Sequence, residues 1–435
     1  MVLGRGGRTN EDPHPRLVPV GQRPGTNEAL APIADPFVST VQLEVTRTER
    51  GLSLVNVGKR SLCDAQGREH ERLDSKSGDV VEIRGRLLLL VAERPRELAP
   101  ARSLGKKLHG FGEADMDGLV GESPSAWQLR DAVAFVAARA AQHVLLLGES
   151  GTGKEIVANA IHRLSSKGGR RLVSRNAATL PAGLIDAELF GHVANYPNAG
   201  MPERPGLIAE ADGSTLFLDE IGELGHDLSS KLLRVLDEKG EYQRLGDSRM
   251  RTSSFRLIGA TNRPFASLKE DLAARFRLRI LVPSLGERRE DIPLLVRHLL
   301  RRAAAQDPAI GERFFEAREP RIAIDLMKAL VLHRYRTHIR ELDALLWSSL
   351  ASSPKDVIEL TPTVANAVSL PRAGEDDDDR GDSAPPPRVD ARTLTAADVR
   401  AALERAGGSH DKAWRDLGLG SRHVLKRLKK KLGVE

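Results

Sequence analysis

Residues 148–155 read GESGTGKE and follow an apolar run, Val144 to Leu147. Gly148, Gly151 and Gly153 let main-chain N–H groups curl around phosphate oxygens with no Cβ in the way. Glu149, Ser150 and Thr152 complete the loop, and Lys154 can reach the outer phosphates. A helix starting there adds partial positive charge. This chemistry grips a nucleoside triphosphate. The general pattern closes on Ser or Thr, whose hydroxyl ligates magnesium, but Glu155 stands at that position. Some 65 positions beyond Lys154, the apolar run 216–218 ends in Asp219 and Glu220. Asp219 can hold magnesium through water, and Glu220 can polarise the attacking water. A third run, 255–258, leads to Ala260, Thr261 and Asn262, a polar pair placed to sense a γ-phosphate.

These groups meet only if strands carry them to one edge. Ile156, Val157, Ala160 and Ile161 are spaced for a helix directly after the glycine loop, giving strand, loop, helix. Strands then alternate with helical patterns from about 117 to 285, which predicts an α/β domain with a parallel sheet. Ligand sites in such sheets lie at the carboxyl ends of the strands. Helical periodicity dominates from 290 to 352. Upstream, Val41, Leu43 and Val45 alternate, as do Leu52 and Leu54; residues 80–83 and 87–91 follow, with Gly51, Gly67 and Gly78 between. That pattern predicts a small β-sandwich. The resulting division is a disordered Gly/Arg/Pro-rich tail (1–15), a β module (16–95), a linker (96–113), a nucleotide-binding α/β region with a helical part (114–355, the helices 290–355), an acidic and proline-rich linker (356–392) and a helical end (393–435).

The chain has 435 residues, room for several domains, and 40% apolar residues to fill their cores. Cys63 is the only cysteine, so no intrachain disulfide forms and a reducing compartment is expected. No apolar run nears the roughly 20 residues of a membrane span, and the N-terminus lacks an apolar signal core. A cytoplasmic protein without a membrane partner is expected. The net charge of +6 permits polyanion binding without demanding it.

Taken together, LVGES (119–123), GESGTGKE, ELFGH (188–192), LFLDEIGEL (216–224), KLLRVL (231–236) and ERREDIPLL (287–295) resemble the AAA+ domain of sigma-54-dependent transcriptional activators. That family assembles hexameric rings that hydrolyse ATP with magnesium to remodel RNA polymerase, and it too carries an acid where Glu155 stands. The resemblance implies that Asn176 restrains Glu220, that Arg275 reaches a neighbouring subunit's ATP as a finger, and that Arg340 is the lid sensor. Lys269 occupies the position of a second finger, where lysine keeps the charge but loses the planar fork. The family's Trp-Pro-Gly-Asn before the sensor is Tyr335, Arg336, Thr337 and His338 here.

The loop that touches sigma-54 reads GAFTGA in the family. At the same spacing stand Asn195, Tyr196, Pro197, Asn198, Ala199 and Gly200. Pro197 fixes φ and removes a donor, so the loop backbone should change too. The substitution is either a neutral variant, or sigma-54 contact is altered or lost with hydrolysis retained; Tyr196 offers an aromatic tip displaced by one position.

At the C-terminus, Thr395 and Asp398 form a capping box, and Val399, Ala402, Leu403 and Ala406 make one apolar face. Arg422, Lys426, Lys429 and Lys430 lie on the outer side of the last helix. Residues 393–435 carry ten Lys/Arg against five Asp/Glu, a local charge of +5. The stretch GGSHDKAWRDLGLGSRHVLKRLKKKLG resembles the Fis-type helix-turn-helix of the same activators, implying double-stranded DNA as partner. The N-terminal β region resembles a forkhead-associated domain through DPFVS (35–39) and SGDVVEI (77–83). That implies a phosphothreonine partner clamped by Arg23 and Ser39. The expected whole is a sensor, a ring ATPase (dimer at rest) and a DNA anchor. Two readings stay open beside it: a DNA-binding scaffold or repressor independent of sigma-54, and an ATP-binding switch with negligible turnover.

Overall fold

The computed structural model describes residues 1–7, 15–100, 109–179, 184–224, 226–237 and 239–368, with isolated positions beyond 395. The chain divides into two units, Met1–Pro371 and Arg372–Glu435.

The first unit opens with β strands: β1 (Val2–Leu3), β2 (Val20–Arg23), β3 (Thr26–Ala29), β4 (Leu43–Thr48), β5 (Gly51–Asn56), β6 (Leu62–Cys63), β7 (Glu69–His70), β8 (Arg72–Ser75), β9 (Val80–Ile83) and β10 (Leu87–Leu90). They form two four-stranded sheets, β1-β4-β5-β8 and β10-β9-β6-β7, and a separate hairpin, β2-β3. Leu43, Val45, Leu54, Leu62, Val81 and Ile83 fill the space between the sheets. The sandwich begins earlier than expected. Residues 1–7 are ordered, Val2 pairs with Glu44, and Val2 is buried. Glycine and arginine dominate this stretch by composition, but two apolar residues suffice for a short edge strand once β4 is there to pair with.

The α/β part is built on one parallel sheet, whose strands are β11 (Val144–Leu147), β12 (Val173–Asn176), β15 (Thr215–Asp219), β18 (Arg256–Thr261) and β19 (Leu278–Leu281). Their order is β12-β15-β18-β11-β19. Period two sorts the side chains into two cores. Leu145, Leu216, Leu218 and Leu257 face one layer, while Val144, Leu146, Phe217 and Ile258 face the other. The second layer holds α1 (Pro124–Ala137) and α2 (Lys154–Leu164). Ser123 starts α1 by accepting from Ala126 N–H at 3.1 Å, with Pro124 in the first turn, where its missing donor costs nothing. The first layer holds α3 (Ile185–Phe190), α4 (Leu207–Glu210), α5 (His226–Val235) and α6 (Glu270–Arg275). Two short hairpins project from this part: β13 (Gly191–His192) with β14 (Arg204–Pro205), and β16 (Glu241–Tyr242) with β17 (Arg251–Thr252).

The lid comprises α7 (Ile292–Gln306), α8 (Pro308–Phe314), α9 (Ile324–Leu332), α10 (His338–Ser352) and α11 (Pro362–Ala367). It runs past the expected end at 355: Val364 of α11 is buried in the lid core, and Ile358 pairs with Ile322. Linker-like composition hid one apolar turn. Val80, Leu88 and Leu90 of the β module join the same lid core. Among the described residues no helix is long and apolar enough to cross a membrane.

Candidate nucleotide site

Gly148, Gly151 and Gly153 take φ of 155°, 82° and 101°, the region that favours glycine. The loop they make joins the end of β11 to the N-terminus of α2. A Cβ on Gly148 would lie 2.9 Å from the Val282 carbonyl, and one on Gly151 2.0 Å from the Thr337 carbonyl. The loop is therefore walled by β19's end on one side and by the lid on the other. Lys154 Nζ donates to the Gly148 and Glu149 carbonyls at 2.8 and 3.0 Å, and Thr152 Oγ1 donates to Glu149 O at 2.9 Å. Burial pushes the Lys154 ammonium down, and the nearby charges of Asp219 and Glu220 pull it back up.

Asp219 ends β15 and accepts from Glu220 N–H at 3.0 Å; Glu220 takes φ of 52° just beyond it. The turn swings the second carboxylate out of the strand direction. Asn176 is in register with Asp219 on the adjacent strand, but its Oδ1 accepts from Ala178 N–H at 2.9 Å, and Glu220 is not its partner here. Thr261 is buried at the end of β18; its carbonyl accepts from Gly148 N–H at 3.3 Å, and its Oγ1 from Arg263 N–H at 3.1 Å. Asn262 is exposed. Arg340, on α10, reaches Ser150 Oγ at 3.3 Å. Glu155 lies exposed in the first turn of α2.

Arg275 stands apart from this cluster. It pairs with Asp237 at 2.7 Å, both partners nearly half exposed. It lines an open cavity of about 1550 Å³ shared with Arg234, Lys239, Arg244 and Arg277, and no residue of 148–155 lines that cavity. Lys269 Nζ is buried without a hydrogen-bond partner among the described residues.

The loop at 195–200 folds onto itself. Asn195 Oδ1 accepts from Gly200 N–H at 2.8 Å, and Asn195 N–H donates to Met201 O at 2.8 Å. The Tyr196 ring lies over Gly246, where a Cβ would sit 2.6 Å from it. All six residues are exposed, Tyr196 at 37%.

Arg23 is not beside Ser39. It sits on the β2-β3 hairpin, 5% exposed, with Nη2 2.7 Å from Glu122 and Nη1 2.6 Å from the His109 carbonyl. A phosphate could not reach it in this arrangement. The expectation failed because the partner, Glu122, lies 99 positions away in the LVGES motif. Ser39 Oγ instead accepts from Lys59 N–H at 3.0 Å, and Ser39 O from Arg5 N–H at 2.9 Å. Arg5 lies in the segment whose composition reads as a tail. Two other loop-shaping residues escaped a sequence reading. Arg288 reaches the Thr152 carbonyl at 3.4 Å, and His338 reaches Glu149 at 3.0 Å. In the last unit, Arg422, Lys426 and Lys430 lie outside the described residues; Lys429 is helical, and Val399 and Ala402 are helical and buried.

A five-stranded parallel sheet, a glycine loop with its lysine, paired acids two strands away and a helical lid resting on the loop define a P-loop ATPase domain of the AAA+ type. The sigma-54 interaction domain family matches residues 119–282. The chain is 36% identical over 353 residues to a Nif-specific regulatory protein of Azotobacter vinelandii, covering 78% of this chain and 64% of that protein. It is 35% identical over 346 residues to the transcriptional regulatory protein ZraR of Salmonella typhimurium, covering 77% of this chain and 73% of that one. Its fold is similar to the crystal structure of NtrX from Brucella abortus in complex with ADP, with TM-score 0.50 and 28% identity over 74% of this chain and 70% of the other. The chain belongs to the family of sigma-54-dependent transcriptional regulators.

Proposed function

We propose that the chain is a cytoplasmic, ATP-hydrolysing regulator of transcription that works as a ring, a hexamer built from a resting dimer. The observation that carries this reading is the glycine loop itself, with Lys154 on its carbonyls, Arg340 reaching Ser150, and Asp219 and Glu220 at the carboxyl end of a strand of the same parallel sheet. Main-chain N–H groups of 148–153 and Lys154 would hold the phosphates, and Thr261 and Asn262 would border the γ-phosphate. Asp219, through water, and Glu155 would hold magnesium, which when bound neutralises phosphate charge. Glu220 would orient the attacking water, Asn176 would restrain it once its amide is released from Ala178, and Arg275 would serve the neighbouring subunit. Lys269, whose Nζ has no hydrogen-bond partner among the described residues, is the candidate second finger. In purified full-length protein, Lys154→Ala should abolish ATP binding, while Glu220→Gln should keep binding and lose turnover. Normal turnover by Glu220→Gln would overturn the assignment.

The chain acts on DNA in this reading, through Arg422, Lys426, Lys429 and Lys430. The β module would take a phosphothreonine protein at Ser39, with Arg5 and Lys59 beside it rather than Arg23. A second reading has its own support. With Asn195 tied to Gly200 and Tyr196 packed against Gly246, the loop offers one aromatic, 37% exposed, a position before that of the family's phenylalanine. This favours a DNA-binding ATPase whose target is not sigma-54 RNA polymerase.

A further inference from the structure

His338 opens α10 with φ of 48°, in the left-handed region that few non-glycine residues occupy. Its ring is buried, 4% exposed, and has two polar neighbours. The Leu285 N–H lies 3.5 Å from Nδ1, and a Glu149 carboxylate oxygen lies 3.0 Å from Nε2. A donor thus faces Nδ1 and an acceptor faces Nε2, and the neutral tautomer that serves both carries its proton on Nε2. Glu149 belongs to the glycine loop, and its side chain is otherwise 66% exposed. Three more contacts join the same two segments. Ile339 N–H donates to Gly151 O at 3.0 Å, Arg340 reaches Ser150 Oγ at 3.3 Å, and Gly151 lies so close to Thr337 that no side chain fits between.

We propose that His338 is a positioning residue for the nucleotide. By holding the Glu149 carboxylate, it fixes the 149–151 peptide planes against the start of α10, so that the loop is shaped for phosphate before phosphate arrives. The inference rests on the ATP-binding reading of this loop. His338 touches no reacting atom and acts through Glu149. Its loss makes the loop pay its ordering cost on binding, which weakens nucleotide affinity and leaves the chemical step alone.

The test measures ATP KM and kcat, and the Kd of a fluorescent non-hydrolysable ATP analogue, in the full chain. The variants are His338→Ala, His338→Gln, Glu149→Ala and the double alanine. Alanine and glutamine share the left-handed backbone cost, so their difference isolates the hydrogen bond. His338→Ala should raise KM and Kd about fivefold, the worth of one such bond, with kcat within about twofold. His338→Gln, whose amide can donate to Glu149, should restore most of the affinity. The double variant should bind no worse than His338→Ala. If His338→Ala does not fold, the exposed Glu149→Ala should show the same KM rise with kcat retained. Unchanged KM, failure of glutamine to rescue, or additive losses in the double variant would each overturn the proposal while wild-type binding leaves the ATP reading intact. A wild-type chain that binds no analogue overturns both.

Discussion

The chemistry of this chain depends on where single charges stop. Burial holds the Lys154 pKa below its ordinary value, and the charges of Asp219 and Glu220 oppose that shift. Arg275 is held differently, half exposed and tied to Asp237 at the rim of a basic cavity. An ion pair this exposed contributes little to stability, so its loss should not unfold the domain. Arg275→Ala is expected to bind ATP normally and to hydrolyse it at least about tenfold more slowly, as a finger acts on transition-state charge. Mixing Arg275→Ala with Lys154→Ala subunits should restore some turnover if the finger acts across subunits. Steady-state hydrolysis of the mixture against each variant alone decides the point.

At the scale of elements, the turn before α10 is gathered by the Glu341 carboxylate. Glu341 accepts from Arg336 N–H and Thr337 N–H at 2.7 and 2.9 Å, and its other oxygen meets His333 at 2.8 Å. Burial works to raise this carboxyl, but the two N–H groups and the ring outweigh it, and its pKa lies below the ordinary value. The folded value is the depressed one. The stabilisation is therefore complete above the unfolded value of about 4.5 and is lost as pH falls through the folded value. Melting temperature measured from pH 7 downward should fall more steeply in wild type than in Glu341→Gln, which lacks the titrating group. The 195–200 loop is the second element with a clear expectation. Asn195 ties it to Gly200 and Tyr196 packs on Gly246 while staying 37% exposed, and an aromatic hot spot lost from an interface commonly costs about 2 kcal/mol. Replacing 195–200 by GAFTGA should create or strengthen open-complex formation with sigma-54 polymerase. Robust activity of the wild-type chain, unimproved by the replacement, would count against it.

Across the first unit, the β module is fastened to both parts of the ATPase. Arg23 and Glu122 join it to the segment before α1, and Glu82 meets Lys328 of α9 at 2.6 Å. Arg289 donates to the Gly78 carbonyl at 2.9 Å and Arg289 Nε to Val331 O at 3.1 Å, stitching the same face. The module therefore spans the base and lid between which the glycine loop lies. Glu122 is 3% exposed, and it also accepts from Gly112 N–H and Trp127 Nε1. Removing Arg23 would leave that buried carboxylate without its charge partner, a loss of about 3–5 kcal/mol. Arg23→Ala should lower the melting temperature and speed proteolytic cleavage between residues 96 and 113. An unchanged digestion pattern would show that the Glu82 and Arg289 contacts hold the module unaided.

The sequence by itself determined the glycine loop, its lysine, the paired acids and the alternation of strand and helix. These features are local: glycine freedom, period-two apolar strands and a helix start are written in consecutive residues. It also marked the β module and the lid, though composition misjudged their ends at residues 1–7 and 356–368, where short apolar pairs become structure only against a partner. Tertiary structure alone decided the partners of long side chains. Arg23 went to Glu122 rather than to Ser39, His338 came to rest on Glu149 across 189 positions, and Tyr196 lay down on Gly246. An arginine or histidine reaches several ångströms in any direction, so its neighbour is set by packing, which spacing along the chain does not encode.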